Sequence, residues 1–414
     1  MQYGLIGKKL GHSFSREVHS HLADYEYELL ELPTEEAVGA FLEKKEFRAI
    51  NVTIPYKQTV IPYLSEVSPE ARAIGAVNTI VNREGKLYGY NTDFYGMSTA
   101  LARIGLTDAK GKRALVLGTG GTSLTANAVL RALGAKEICT VSRTPSGSTI
   151  SYGDAVSAHA DADIIVNTTP VGMFPNADGC PISLSSFPMI SYLFDAIYNP
   201  LSTRLVLDAR GRGVAADTGL YMLVAQGFRA VELFLDTTLD PALLEMTYEK
   251  VFRAKQSIVL IGMPSSGKTT VGRMLAERTG RPFIDLDEEI VKMAGKDIPA
   301  IFRDEGEESF RDREQEAVRL ASEKTGVIIA TGGGAVLREE NVTRLRQNGV
   351  LLLLDRPLEA LTPTADRPTA QSRAAIEARY NERRPVYLAA ADRIFPVGED
   401  FTAVADSIIK ELSL

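Results

Sequence analysis

Between residues 262 and 269 the chain reads Gly262-Met263-Pro264-Ser265-Ser266-Gly267-Lys268-Thr269, which is the spacing G-x-x-x-x-G-K-[ST]. The chemistry this set serves is the holding of phosphates. Glycines let backbone N–H groups turn inward on an anion, and a helix N-terminus favours the negative charge. Lys268 can reach outer phosphates, and the Thr269 hydroxyl can ligate Mg²⁺. Gly262, Ser265, Ser266, Gly267, Lys268, Thr269 and Thr270 are therefore the candidate nucleotide contacts. Shortly after come Phe283-Ile284-Asp285-Leu286-Asp287. Two carboxylates at alternating positions of a strand end point the same way. Asp285 can assist the metal, and Asp287 can face an acceptor hydroxyl. Thr331-Gly332-Gly333-Gly334 would let a ligand approach the backbone closely.

The first half holds a second glycine loop, Gly118-Thr119-Gly120-Gly121-Thr122-Ser123. It lacks the third glycine of a full dinucleotide fingerprint, so it reads as a cofactor turn or as a purely structural strand-to-helix turn. Ser142-Arg143-Thr144 follows the next strand. An arginine there suits the 2′-phosphate of NADP, where an acidic residue would suit NAD. It also reads as a solvated strand-end cation. Before residue 100, polar groups crowd short loops: Gly11-His12-Ser13-Phe14-Ser15, Asn51-Val52-Thr53-Ile54-Pro55-Tyr56-Lys57, Ala76-Val77-Asn78-Thr79 and Tyr90-Asn91-Thr92-Asp93.

These loops need strands and helices to aim them, and the chain supplies both in alternation, the α/β pattern. Apolar runs predict strands at 2–6, 48–54, 77–81, 113–117, 137–141, 163–167 and 192–196, then at 257–261, 282–286, 327–331 and 350–354. Helices are expected at 122–133, 219–235 and roughly 241–254. The phosphate loop follows its strand and opens a helix, so it begins a domain of its own near residue 256. No repeat or low-complexity tract interrupts the pattern.

Composition narrows the class. The chain has 414 residues, a formal net charge of −7 and two cysteines, Cys139 and Cys180. The length suits two or three domains. The acidic balance argues against nucleic acid as a partner. The cysteines share no metal-binding or C-x-x-C spacing and read as buried or semi-buried thiols in a reducing cytoplasm. No apolar run reaches the length of a membrane span, and the N-terminus lacks the form of a signal peptide. Nothing in the sequence specifies an oligomeric state.

Over residues 2–250 the motifs GHSFS, NVTIPYKQ, GAVNT, YNTD, GTGG, NTTPVGM, DAIYNP and GLYMLVAQG together resemble shikimate dehydrogenase. The resemblance implies NADPH-linked, reversible reduction of 3-dehydroshikimate to shikimate. It assigns Lys57 and Asp93 as the catalytic pair. Ser13 and Ser15 would hold the substrate carboxylate, with Thr53, Asn78, Tyr198 and Gln226 as further substrate contacts. Gly118, Gly120, Gly121, Ser142, Arg143, Thr144 and Gly219 would line the NADP(H) site, edged by Asn167-Thr168-Thr169. The chain departs from the family in three places. Leu124 stands at an arginine position, Pro145-Ser146-Gly147-Ser148 replaces a second basic residue, and the stretch from Thr144 to the strand at 163 is short. A parallel crossover needs a dozen or more residues, so a trimmed cofactor domain is expected there.

Residues 256–414 resemble shikimate kinase through GMPSSGKTT, DLD, GEESFR, GGG and RRPVY in order. The resemblance implies ATP-dependent phosphorylation of the shikimate 3-hydroxyl. It assigns Arg311, Gly333, Gly334 and Arg383 to shikimate, whose carboxylate suits the guanidinium fork. Arg367 would be the lid arginine that reaches the transferring phosphate. The family's upstream lid arginine is missing from Ala360–Thr369.

The fold expected is α/β throughout: a substrate-binding α/β domain at 1–95 with about 220–250, a Rossmann-like NADP domain at 96–219, and a P-loop kinase domain with a parallel sheet at 256–414. The function expected is that of a bifunctional enzyme whose first product is its second substrate. Its ligands are NADP(H), ATP, Mg²⁺ and two small acids, with no nucleic acid or membrane. A ligand sensor built on the same folds, or a quinate- and NAD-using relative, are the competing readings.

Overall fold

The structure, a computed structural model, describes residues 1–11, 13–361 and 372–414. It divides into two compact units, Met1–Phe252 and Arg253–Leu414.

The first unit holds two sheets. Strands β1 (Tyr3–Gly7), β2 (Tyr27–Glu31), β3 (Ala49–Val52), β4 (Glu66–Val67), β5 (Thr79–Arg83) and β6 (Lys86–Tyr90) form a mixed sheet in the order β2-β1-β3-β5-β6-β4. β1 lies between two parallel partners, and all five of its residues are buried. A strand covered on both faces reads as a continuous apolar run, which is why it is legible in sequence. β5 runs antiparallel to both β3 and β6.

The second sheet comprises β7 (Arg113–Leu117), β8 (Glu137–Val141), β9 (Thr149–Ile150), β10 (Ile164–Asn167), β11 (Tyr192–Asp195) and β12 (Ala215–Thr218). All its pairings are parallel, in the order β12-β11-β10-β7-β8-β9. Counting β7 as the first strand, this is the doubly wound order 3-2-1-4-5-6. Its switch point, where ligands bind outside the carboxyl ends, lies between β7 and β10. The excursion between β8 and β10 is short. It contains the two-residue β9 and the helix Tyr152–Ala158, whose start is fixed by a reciprocal capping box between Ser151 and Asp154.

The helices Asp93–Arg103 and Leu220–Leu235 pack closely in this unit. Gly96 allows the approach: a Cβ there would lie 2.6 Å from the Met222 carbonyl oxygen and 3.0 Å from Gln226 Cβ. The contact sets the depth at which Gln226 sits.

The second unit is built on β13 (Ser257–Ile261), β14 (Phe283–Asp285), β15 (Ile328–Ala330), β16 (Gly349–Asp355) and β17 (Arg393–Pro396), parallel in the order β14-β15-β13-β16-β17. Val259 and Ile261 enter one core cluster with Leu351 and Leu353, while Ile258 and Leu260 enter another with Leu352 and Leu354. That alternation is the two-residue period of a strand covered on both faces.

Several expectations change. β14 ends at Asp285 and the helix Leu286–Ala294 starts at once, so Asp287 is not on a strand. Asp285 is that helix's N-cap, and its carboxylate accepts from the Asp287 backbone N–H at 3.0 Å. The two acidic residues are thus set by helix capping rather than by pleat alternation. Cys139 is half-buried, but Cys180 is exposed in the loop that follows β10. Among the described residues no helix is long and apolar enough to cross a membrane.

Candidate active sites

In the first unit, β3 delivers Thr53 and, one turn later, Lys57. The Lys57 carbonyl accepts from the Val77 backbone N–H at 2.8 Å, which ties this loop to the one before β5. Lys57 Nζ lies 2.6 Å from Asp93 Oδ2, with side chains only 11% and 7% exposed. Asp93 opens its helix at a fixed place because the Asn91 side chain accepts from Phe94 N and donates to the Ala76 carbonyl. An ammonium held by a carboxylate in so dry a place is poised to give a proton to an oxygen that gains charge.

A buried amide cluster lies beside this pair. Asn78 Oδ1 accepts from Thr92 N at 2.7 Å, and Asn78 Nδ2 donates to Thr92 Oγ1 and to Gln226 Oε1. Asn51 secures the cluster from beneath, donating to the Asn78 carbonyl and Thr79 Oγ1 while accepting from the Tyr27 hydroxyl. Thr92 stands between Asn78 and Gln226, yet the reading of the sequence assigned it no role. Its signal was its place between Asn91 and Asp93.

Ser13 and Ser15 hydroxyls lie 3.1 Å apart at the start of the helix Ser15–Leu22. Tyr198 reaches them from the end of β11. Its ring packs on Phe14 at 5.3 Å between centroids, and burial pushes its hydroxyl up while a hydrogen bond from Ser13 opposes the shift. Thr53 sits against Gly7 at the end of β1.

The glycine turn after β7 faces this pocket. Gly118 has φ 108°, and a Cβ there would lie 2.8 Å from Thr168 Oγ1 across the switch point. Only a glycine meets both conditions without strain. Among the described residues nothing lies within 4 Å of a Cβ built on Gly120, and a Cβ on Gly121 would lie 3.3 Å from Lys57 Cδ. The turn is therefore a cradle with the lysine at its edge, and it fits a dinucleotide. Arg143 is exposed at the end of β8, beside Tyr152, with Ser142 and Thr144 forming the turn around it. Gly219 packs directly on the Ala196 carbonyl, which no side chain would permit. Asp195, fully buried, accepts from Asn167, Thr203 and the Ile197 backbone. Burial pushes its carboxyl from 3.8 up to about 7 against those bonds.

In the second unit, the phosphate loop follows β13. Gly267 has φ 94° with the Phe401 ring against it, and Ser265 adopts φ 65°. A non-glycine residue there is a strained position of the kind found at ligand-holding loops. Lys268 Nζ donates to the carbonyls of Gly262 and Met263 at 2.9 and 2.8 Å, across the mouth of the loop. The Ser266 hydroxyl is buried and finds no hydrogen-bond partner among the described residues. Thr269 Oγ1 donates to Asp285 Oδ2 at 2.7 Å, while Thr270 is exposed on the next helical position. A hydroxyl and a carboxylate meeting beside a phosphate cradle fit the hard oxygen ligands of Mg²⁺.

The acceptor side converges on the three glycines. A Cβ on Gly332 would lie 2.7 Å from Glu314 Oε1 and 2.9 Å from Asp287 Oδ1. Arg311 lies against Gly334 and donates to Glu314 Oε2 at 2.7 Å and Glu307 Oε1 at 3.1 Å. Arg383 donates to the Gly333 carbonyl at 3.1 Å, and the Tyr387 hydroxyl donates to the same oxygen. Glu314 was not singled out from the sequence. Its Oε1 is buried and without a hydrogen-bond partner among the described residues, and burial raises its carboxyl while Arg311 opposes. The helical spacing Arg311…Glu314 was the available signal. Arg356 also reaches the loop, donating to the Ser265 carbonyl at 3.0 Å. Arg367 lies outside the described residues.

Comparison with known proteins follows the same division. Residues 5–80 match the family of the shikimate dehydrogenase substrate binding domain, and residues 264–413 match the shikimate kinase family. A shikimate dehydrogenase (NADP(+)) from Clostridium perfringens is 37% identical over 266 residues, which is 60% of this chain and 97% of that protein. The crystal structure of shikimate dehydrogenase 1 from Peptoclostridium difficile has a TM-score of 0.56 at 34% identity, covering 61% of this chain and 98% of its own. Shikimate 5-dehydrogenase from Thermus thermophilus, in complex with NADP(H) and shikimate, has a TM-score of 0.54 at 32% identity, covering 60% and 99%.

Proposed function

We propose how the two sites work in a chain that belongs to the shikimate dehydrogenase family and carries a shikimate kinase domain after it. The chain is a bifunctional shikimate-pathway enzyme. It reduces 3-dehydroshikimate reversibly to shikimate with NADPH, then phosphorylates the shikimate 3-hydroxyl with ATP. Residues 1–95 with about 220–250 serve as the substrate domain, 96–219 as the NADP domain and 256–414 as the kinase.

The observation that carries the reading is the buried Lys57–Asp93 pair with Gly121 of the cofactor turn against the lysine stem. NADPH, when bound in that turn, supplies the hydride. Lys57 gives its proton to the carbonyl oxygen as negative charge develops there, and Asp93 holds the ammonium in line. Ser13 and Ser15 grip the substrate carboxylate, with Tyr198 behind Ser13. Asn78 and Gln226, locked through Thr92, orient the ring hydroxyls together with Thr53. Ser142, Arg143 and Thr144 receive the cofactor's 2′-phosphate.

In the kinase, Arg311 and Arg383 hold the shikimate carboxylate against Gly333 and Gly334. Asp287 accepts from the 3-hydroxyl and takes its proton as the phosphoryl group arrives. Lys268 exchanges its two loop carbonyls for phosphate oxygens. Thr269 and Asp285 would hold Mg²⁺, which when bound neutralises phosphate charge. Arg367 serves as the lid arginine. The chain works in the cytoplasm, where both thiols stay reduced. Recovery of both activities in the soluble cell fraction checks that placement.

Paired variants test the assignment. Lys57→Ala should cut NADPH-dependent reduction by about 10²–10⁴-fold and leave ATP-dependent phosphorylation of added shikimate intact. Lys268→Ala should do the reverse. A Lys57→Ala protein that reduces 3-dehydroshikimate at the parent rate would sink the catalytic assignment.

A further inference from the structure

At the amino end of β8, away from the cofactor turn of the same unit, three dissimilar ligating side chains converge. Glu137 and Cys139 alternate along the strand and so share a face. His159 joins them from the residue after the helix Tyr152–Ala158. Cys139 Sγ lies 3.7 Å from Glu137 Oε1 and 3.7 Å from His159 Nδ1, and His159 Nδ1 lies 3.9 Å from Glu137 Oε1. All three are half-buried, and their donor atoms form one compact triangle. The other Glu137 oxygen is engaged by Arg113 Nε at 3.3 Å, and Arg113 also pairs with Asp161. That contact turns Oε1 toward the thiol and the imidazole.

We propose that Glu137, Cys139 and His159 bind one divalent ion of the zinc class, with water completing a tetrahedron. Zinc takes sulfur at about 2.3 Å and nitrogen or carboxylate oxygen at about 2.0–2.2 Å. In a tetrahedron those lengths separate neighbouring donors by roughly 3.3–3.7 Å. The triangle here needs a contraction of only a few tenths of an ångström. A thiolate, an imidazole and a carboxylate together suit zinc and not the hard ions that oxygen-only sites take. On binding, the Cys139 thiol releases its proton to solvent and the sulfur bonds to the ion, so no oxidant or reductant is needed. The site lies at the opposite end of the sheet from Arg143 and the cofactor turn. Its effect is structural: a clip from β8 to the end of the helix Tyr152–Ala158, across the short excursion that replaces a full crossover.

The test uses the full chain, stripped by a chelator and titrated with Co²⁺ as a spectroscopic stand-in. The parent should develop a thiolate-to-cobalt charge-transfer absorption that saturates at one ion per chain and is displaced by Zn²⁺. Thr269 and Asp285 offer no thiol, so cobalt held there gives no such band. Cys139→Ser should abolish the band, and His159→Ala should weaken cobalt affinity by at least about tenfold. Cys180→Ser should leave it unchanged. Zn²⁺ should raise the thermal midpoint of the parent but not of Cys139→Ser, with both activities reporting that each variant is folded. No thiolate band in the parent, or a band that survives Cys139→Ser, would overturn the proposal.

Discussion

Glu314 carries two tasks in the kinase pocket: one oxygen clamps Arg311, and the other faces Gly332 beside Asp287. Glu314→Gln keeps the shape and removes the charge. A hydrogen bond to a charged group contributes about 1.5–3 kcal/mol, so the KM for shikimate in phosphorylation should rise roughly ten- to a hundredfold. The reductase rate should not change; an unaltered kinase KM would leave Glu314 a folding residue only. Two buried groups of the first unit make a pH prediction. Asp195, raised to about 7, binds an extra proton in the folded chain between 3.8 and about 7, so its contribution to stability is lost as pH rises through that window. His19 is opposite: burial lowers it from 6.5 to about 3, opposed by the Asn51 amide oxygen on the acceptor side, so stability falls as pH falls through that range. The slopes oppose over their shared range. Asp195→Asn should expose the His19 slope, and stability should then climb with pH by up to about 1.4 kcal/mol per unit between about pH 4 and 6. Urea unfolding at several pH values checks it, and a slope equal to the parent's contradicts it. Lys57 and Asp93 stand 36 positions apart. Composition and period cannot join such residues; only the pattern of whole motifs does. Thr92 and Glu314 lie inside those motifs and become visible only through what they touch.

Elements were legible where both faces are covered. β1, β7, β10 and β13 are apolar throughout or nearly so and follow directly from the sequence. The strands not legible in the sequence are the interior β6 and five at sheet edges, β2, β4, β9, β12 and β17. An edge strand is paired on one side and partly solvated, so it carries no apolar run. β17 buries Phe395 alone of its four residues. The Asp285–Asp287 spacing was misread for a related reason: a period of two over three residues cannot tell a strand end from a helix cap. The close helix contact at Gly96 yields its own prediction. Gly96→Ala would force a methyl against the Met222 carbonyl, an overpacking cost of about 1–3 kcal/mol. The first unit should melt earlier, and the KM for 3-dehydroshikimate should rise as Gln226 moves from Asn78. Parent-like values of both would show that the helices part without effect.

Each unit of the molecule has its own apolar core and its own site, and the product of one reaction is the substrate of the other. Joining them on one chain fixes their stoichiometry and raises local concentration. The claim at the centre is that one chain catalyses both steps in sequence. The most direct measurement gives purified full-length protein 3-dehydroshikimate and NADPH, follows NADPH loss, then adds Mg-ATP and assays ADP and phosphorylated shikimate. The account predicts NADPH oxidation at once, no ADP before reduction has begun, and phosphorylated product only when both NADPH and ATP are present. NADPH oxidation without ATP-dependent product, or ligand binding with neither turnover, would contradict it.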